Sequence, residues 1–541
     1  MDGLKIMEIY SFSPFGYEGA IVSVEVDLRR GIPAVDVVGL ADGAVKEARE
    51  RMHVAITNSG YAFPMERVLI SLSPADLKKE GAGFDLPIAL GVLVANEINQ
   101  AGTDDFLTDS VLVMGELELS GNVRAVKGIH AACSTAVACG IRRCIVPKAN
   151  ADEAREVSGM LVYGAENLCD AFEALKNPEC YSSADYGNAE SGPDNADEID
   201  GVFFPKITEG FEFAEVKNQD RLVRALQIAA AGGHNFMAVG APGCGKTMAI
   251  QKLPALIPLL TKDEAQSVTR IWSLAGLLQP SESLIRTPPF RMPHQTASLE
   301  GICGGGVYCR PGEISLAHNG VLFLDEAAEF RTSVLQSLRI PIESGRITLS
   351  RAGRSTVYPA SFQLVLAANP CPCGNYGSKT KLCLCSASAI DHYWKKFSAP
   401  LLDRIELRVA VENKADTIEN EEQAETQNQD TIVSSENSKS TSELRIPIAR
   451  ATKIQRKRQG KKNARLTPEE IGTHCTLSEE TRKILDKAVI RYGFSPRASA
   501  SILKVARTIA DMGGSLSIER QHLEEAISFR KVYNTFGPEE E

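Results

Sequence analysis

Val239-Gly240-Ala241-Pro242-Gly243-Cys244-Gly245-Lys246-Thr247 is the stretch on which the fold turns. It fits the pattern G-x-x-x-x-G-K-[ST]. Its flanks fit as well: His234-Asn235-Phe236-Met237-Ala238 reads as a short apolar strand, and Met248-Ala249-Ile250-Gln251-Lys252-Leu253 as the start of a helix. Glycines between strand and helix let backbone N–H groups close around a phosphate chain. Lys246 adds a mobile positive charge and Thr247 a hydroxyl for Mg²⁺. The expected nucleotide contacts are Gly240, Ala241, Pro242, Gly243, Cys244, Gly245, Lys246 and Thr247. A purely structural glycine turn would not need Lys-Thr in register, so ATP with Mg²⁺ is the expected ligand.

At 541 residues the chain exceeds one hydrophobic core, and about two to four domains are expected. A formal charge of −10 and an isoelectric point near 5.5 exclude a uniformly basic surface while leaving room for a local basic channel. No apolar run reaches membrane-spanning length: Phe84 to Val94 is short and carries Asp85 and Pro87. No basic segment followed by an apolar core opens the chain, so a cytoplasmic protein with no membrane partner is expected. Thirteen cysteines, mostly scattered, suit reduced thiols better than a disulfide framework.

Working outward, Asn177 to Asp200 and the acidic, amide-rich Glu412 to Glu443 read as linkers, the second disordered by composition. They divide the chain into blocks 1–176, 201–411 and 444–541. In the first block Ala20–Leu28, Val68–Leu72, Val111–Leu119 and Cys144–Pro147 read as strands. Gly43–Asn58, Phe84–Ala95 and Gly128–Cys139 read as helices. The last block is helical, with apolar spacing near 3.6 over Ser478–Arg491, Pro496–Met512 and Ile518–Tyr533.

A phosphate loop needs partners to hydrolyse anything. Gly320-Val321-Leu322-Phe323-Leu324-Asp325-Glu326 is a buried-strand run ending in two carboxylates. Asp325 is placed to hold Mg²⁺ beside Thr247, and Glu326 to polarise the attacking water. A further strand, Gln363–Ala368, delivers Asn369 to the same edge, where parallel sheets bind ligands. Pro400-Leu401-Leu402-Asp403-Arg404-Ile405 carries an arginine that either enters a neighbouring subunit's site or pairs locally with Asp403.

These residues look like the Walker A, Walker B, sensor 1 and arginine finger of an AAA+ ATPase. Pro311-Gly312-Glu313-Ile314-Ser315-Leu316-Ala317-His318-Asn319-Gly320 and Asn369-Pro370-Cys371-Pro372-Cys373-Gly374 narrow the resemblance to the magnesium-chelatase-like branch, specifically the YifB/ComM family. Asp36 to Arg51 and Asp76 to Gly81 resemble that family's N-terminal domain; Ser495-Pro496-Arg497-Ala498 and Val505 to Asp511 resemble its lid. By this resemblance Arg497 is the sensor 2 arginine. The implied fold is α/β: an AAA+ P-loop core, an N-terminal Lon-protease-like (S5 domain 2-like) α/β domain and a C-terminal helical lid. Lon-type chemistry needs a serine activated by a lysine. Those positions fall at Gly83 and near His130, which implies a proteolytically inactive scaffold. The family's ComM members imply a homohexameric branch-migration helicase. It would act on single-stranded or branched DNA in recombination and natural transformation, with recombination proteins as partners.

Residue-level support for DNA is thinner. Arg346 to Tyr358 reads as a hairpin around Ala352-Gly353, with Arg351 and Arg354 near the tip as pore contacts or as solvated arginines. Arg445 to Arg465 holds no acids and is either a nucleic-acid contact or a solvated helix face. Cys371-x-Cys373 and Cys383-x-Cys385 form either a closed structural Zn²⁺ site or a set of reduced, redox-active thiols, with His392 as a spare ligand. Two other readings stay open: the ATPase partner of a metal chelatase, and a protein-remodelling, chaperone-like ATPase.

Overall fold

The computed structural model describes residues 8–39, 43–75, 79, 81–101, 110–182, 196–279, 282–306, 309–351, 354–378, 381–411 and 439–530. The acidic segment 412–438 lies outside the described residues, as do parts of the two N-terminal motifs, including Ala41, Asp42 and Asp76 to Lys78.

The N-terminal strands join in the order Val35–Val38, Arg67–Ser73, Ala20–Arg29, Ile9–Ser13, Val111–Val113, Arg143–Pro147, Leu161–Ala165. Alternation along each strand divides the core in two. Val111, Val113 and Ile145 face one cluster with helix Asp85–Ala101, while Leu112, Cys144 and Val146 face another with helix Ile129–Ala138. The expected strand Val111–Leu119 breaks after Val113; Glu116–Leu117 pairs separately with Val123–Arg124. Gly115 is the cause. Its N–H donates to Gly83, its carbonyl accepts from Leu86, and a Cβ there would meet Val123 at 2.9 Å.

The segment 177–200, read as a linker, is structured at both described ends. Ser182 bridges to Val162, and Ala196–Ile199 pairs with Val202–Pro205. Asp200 (φ 53°) and Gly201 (φ 78°) make the two-residue turn, an Asp-Gly hairpin signal hidden by the polar composition around it.

The central sheet is wholly parallel, in the order Phe290–Arg291, Val321–Leu324, Gln363–Ala368, Phe236–Gly240, Leu407–Val411. Both faces are covered, which is why its strands read as unbroken apolar runs. The helical end starts earlier than composition suggests. Helix Thr441–Gln459 is opened by a reciprocal Ser440/Glu443 capping box, so its first turn lies in the stretch read as linker. Helices Glu479–Tyr492, Pro496–Gly513 and Arg520–Arg530 follow, the first two capped by Ser478 and Ser495.

The basic run Arg445 to Arg465 is divided: Arg450, Lys453, Arg456 and Lys457 are exposed, while Arg445, Arg458 and Arg465 reach into the fold. Arg445 is 1% exposed and donates to Ala255 O (2.7 Å), Pro205 O (2.7 Å) and Asp197 (2.9 Å). Arg458 grips the buried Asp511 with two bonds, and Arg465 donates to Phe362 O at 2.7 Å. Arg445 and Arg465 thus tie the helical end to the central block, while Arg458 joins two helices of the helical end to each other. Arg445→Met should therefore lower stability by about 3 kcal/mol, one buried and one half-buried carbonyl losing their donor. Urea unfolding would show it; an unchanged midpoint would mean the guanidinium is energetically idle.

The N-terminal sheet is fastened to the core at one seam. Arg270, on helix Lys262–Ala275, donates to Tyr17 O (3.0 Å), Glu18 O (3.1 Å) and Thr135 (3.0 Å), and lies 4.8 Å from the centre of the Tyr17 ring. Tyr17 N donates to Thr356 at 3.1 Å, and its ring meets Tyr358 edge-on at 5.9 Å.

Three buried histidines predict acid sensitivity. Burial, aided by the charges of Arg270, Lys504 and Arg465 respectively, lowers His130 to about 3, His234 to about 3 and His318 to about 4. They are neutral when folded and free to charge when unfolded. Their contribution is complete above the ordinary histidine value and is lost as pH falls through it, about 2 kcal/mol each by about pH 5. Thermal midpoints should drop between about pH 7 and pH 5, and drop less in His234→Gln. An equal drop in that variant would refute the assignment.

Candidate active site

The phosphate loop leaves the sheet where Gly240 runs so close to the Leu407–Val411 strand that a Cβ would sit 2.4 Å from Val411 O. Gly243 and Gly245 both adopt the left-handed region, φ 78° and 85°, which lets the loop fold back over the strand end. Cys244 turns inward and is buried in the core, while its carbonyl accepts from Gln219. Helix Lys246–Gln251 follows directly.

Lys246 is 7% exposed, its ammonium held by Gly240 O (2.6 Å) and Ala241 O (2.8 Å), with Asn369 Oδ1 at 3.5 Å. Asn369 follows the neighbouring strand, Gln363–Ala368. One strand further, Asp325 follows Val321–Leu324 and accepts from Thr247 Oγ1 at 3.0 and 3.2 Å. Three strand ends thus converge across about 10 Å of sheet. Glu326 is exposed beside Asp325, in a left-handed conformation (φ 47°, ψ 46°) unusual for a residue with a side chain. Its own N–H donates to Asp325 Oδ1 at 2.9 Å, which fixes the Asp325 carboxylate towards Thr247.

The donor set suits Mg²⁺. Neighbouring oxygens in a Mg²⁺ octahedron stand about 2.9 Å apart, close to the 3.0 Å between Thr247 and Asp325.

Arg404 and Arg497 lie elsewhere. Arg404 donates to Pro400 O and to Glu343, and Arg497 donates to the other oxygen of the same carboxylate. Hydrogen bonding from Arg404, followed by the charges of both arginines, holds the Glu343 carboxyl below its usual range. Arg404 does not pair with Asp403: that carboxylate bonds Arg530 (2.9 Å) and Ser495 (3.1 Å) instead. Sequence reasoning missed Glu343. Its partners lie 61 and 154 residues away, so no local spacing marks it.

The hairpin forms in the expected register, Arg346–Arg351 against Arg354–Pro359 with Arg351 opposite Arg354. Ala352 and Gly353, and the side chains of Arg351 and Arg354, lie outside the described residues. Cys371, Cys373, Cys383 and Cys385 come together, their sulfurs within 4.8 Å of one another; His392 is exposed and apart. At the Lon-type positions, Gly83 carries no side chain and His130 is a sealed, neutral imidazole.

Family models match three stretches of the chain. "Magnesium chelatase, subunit ChlI" matches residues 212–419, "Subunit ChlI of Mg-chelatase" matches 24–150, and the ChlI C-terminal model matches 438–530. An uncharacterized protein YifB of Escherichia coli is 38% identical, the alignment covering 98% of each chain. The chain belongs to the magnesium-chelatase-like YifB/ComM family. Competence protein ComM of Haemophilus influenzae is likewise 38% identical over 98% of both chains. The magnesium-chelatase 38 kDa subunit of Rhodobacter capsulatus is 27% identical, over 30% of this chain and 50% of its own. Family membership carries an AAA+ ATPase core. Among the described residues no helix is long and apolar enough to cross a membrane.

Proposed function

We propose that this family member is an ATP-driven homohexameric ring motor that remodels DNA, a branch-migration helicase of recombination and natural transformation working in the cytoplasm with recombination proteins. Lys246 would leave its loop carbonyls for the β- and γ-phosphates, while Asn369 reads the γ-phosphate. Thr247 and Asp325 would hold Mg²⁺, which when bound neutralises phosphate charge. Glu326 would orient the attacking water. The observation that carries the ring is the Arg404–Glu343–Arg497 bridge. Two arginines on one carboxylate, away from their own phosphate loop, suit entry as a pair into a neighbour's site. Glu343 would hold them until the γ-phosphate arrives.

DNA is supported by full-length likeness to a competence protein and by the paired arms ending at Arg351 and Arg354, where basic side chains would meet phosphates. A chelatase ATPase fits less well, because the magnesium-chelatase 38 kDa subunit aligns over only 30% of the chain and the competence protein over 98%. The cofactors of this reading are ATP, Mg²⁺ and a structural Zn²⁺ on the four cysteines.

Forked or branched DNA is expected to raise the ATPase rate of the purified chain, and Lys246→Ala to abolish basal and stimulated turnover alike. No stimulation would sink the motor and leave the ATPase standing. Preferential binding of unfolded protein would favour the remodelling alternative.

A further inference from the structure

The loop from Cys371 to Ser386 is built against hydrophobic logic. Leu382 and Leu384 are 80% and 85% exposed, while the alternating, half-buried Cys383 and Cys385 turn towards Cys371 and Cys373. Burial of apolar side chains would have favoured the opposite phase, so something binds the sulfurs more strongly than the core would bind two leucines. The sulfur geometry fits a tetrahedral metal ion. Cys371 lies 3.3 Å from Cys373 and 3.7 Å from Cys383, and Cys373 lies 3.6 Å from Cys383. A zinc tetrathiolate with bonds of about 2.3 Å has tetrahedral edges of about 3.8 Å. A disulfide would bring two sulfurs to about 2.05 Å, and all four cysteines here are free. Tyr376 N donates to the Cys371 sulfur at 3.3 Å, the kind of amide contact that orients a thiolate ligand.

The cluster abuts the nucleotide site on two sides. Cys371, fully buried, stands two residues beyond Asn369. Gly374, with φ 79°, packs so tightly on the phosphate loop that a Cβ would sit 2.4 Å from Pro242 Cδ. Trp394, from the helix Ala387–Lys395 that follows the last cysteine, donates to Pro370 O at 3.0 Å and closes the loop from behind.

We propose that Cys371, Cys373, Cys383 and Cys385 hold one Zn²⁺ as a closed tetrathiolate, and that this ion braces Asn369 and Pro242 in their nucleotide-binding positions. Four thiolates leave no open coordination position, so the ion's role is mechanical. Losing it frees the loop, and with it the sensor side chain and one wall of the phosphate loop. The brace, though not the metal site, rests on the ATP reading.

The full-length chain, purified without added metal, should carry about one zinc by elemental analysis, and cobalt in its place should show the intense visible bands of tetrahedral tetrathiolate. Cys385→Ser, at the half-exposed rim where folding is least at risk, should weaken Zn²⁺ retention at least about tenfold. Stripping zinc from the wild type should weaken a fluorescent ATP analogue about tenfold, with recovery on adding Zn²⁺. Lys246→Ala should lose the nucleotide and keep the zinc, so failure of the ATP reading leaves the metal result standing. Absence of zinc, or iron in its stead, overturns the site. Nucleotide affinity indifferent to zinc removal overturns the brace.

Discussion

Glu326→Gln is expected to bind ATP as the wild type does and to hydrolyse it at least about 10²-fold more slowly, the scale of a lost general base. The amide keeps the side chain's size and its left-handed backbone, so the Asp325 carboxylate stays aligned by the Glu326 N–H. Only the ability to polarise water goes. The measurement is single-turnover hydrolysis beside equilibrium nucleotide binding. If hydrolysis stays within a few-fold of wild type, the water is activated elsewhere and the assignment of Glu326 fails.

Arg404→Ala should be comparably severe, about 10³-fold in turnover if the guanidinium meets the developing charge of the transferred phosphoryl group. The informative experiment mixes subunits. Neither Lys246→Ala nor Arg404→Ala alone should turn over. Co-assembled, an intact phosphate loop on one subunit meets an intact arginine on the next. With equal random mixing about a quarter of interfaces are complete, so activity should reappear at roughly that fraction. Mixtures as dead as their components would place Arg404 in its own subunit's chemistry or outside chemistry. Arg497→Ala belongs in the same series, since Glu343 holds it beside Arg404.

The convergence of Lys246, Thr247, Asp325 and Asn369 is legible in the sequence for a physical reason: that sheet edge is encoded locally. Val321–Leu324 and Gln363–Ala368 are buried on both faces, so each reads as an apolar run, and the polar residue that ends each run is the one at the ligand edge. Illegible parts depend on partners distant in sequence. The bridge through Glu343, the inward turn of Arg445, Arg458 and Arg465, and the seat of Gly374 on Pro242 each join segments dozens to hundreds of residues apart. Composition also misled once in each linker, where an Asp-Gly turn and a Ser440/Glu443 capping box hid structure inside polar sequence.

Arg270 limits how the protein can be taken apart. A chain begun near residue 200 would leave that cation without three of its acceptors and bare the Tyr358 ring and the Thr356 hydroxyl on the second strand of the hairpin. The inactivity of such a truncation would not separate the loss of the domain's own role from the baring of this seam. Dissection by cutting is thus the wrong tool here. The seam has to be loosened one side chain at a time, beginning with Arg270→Gln.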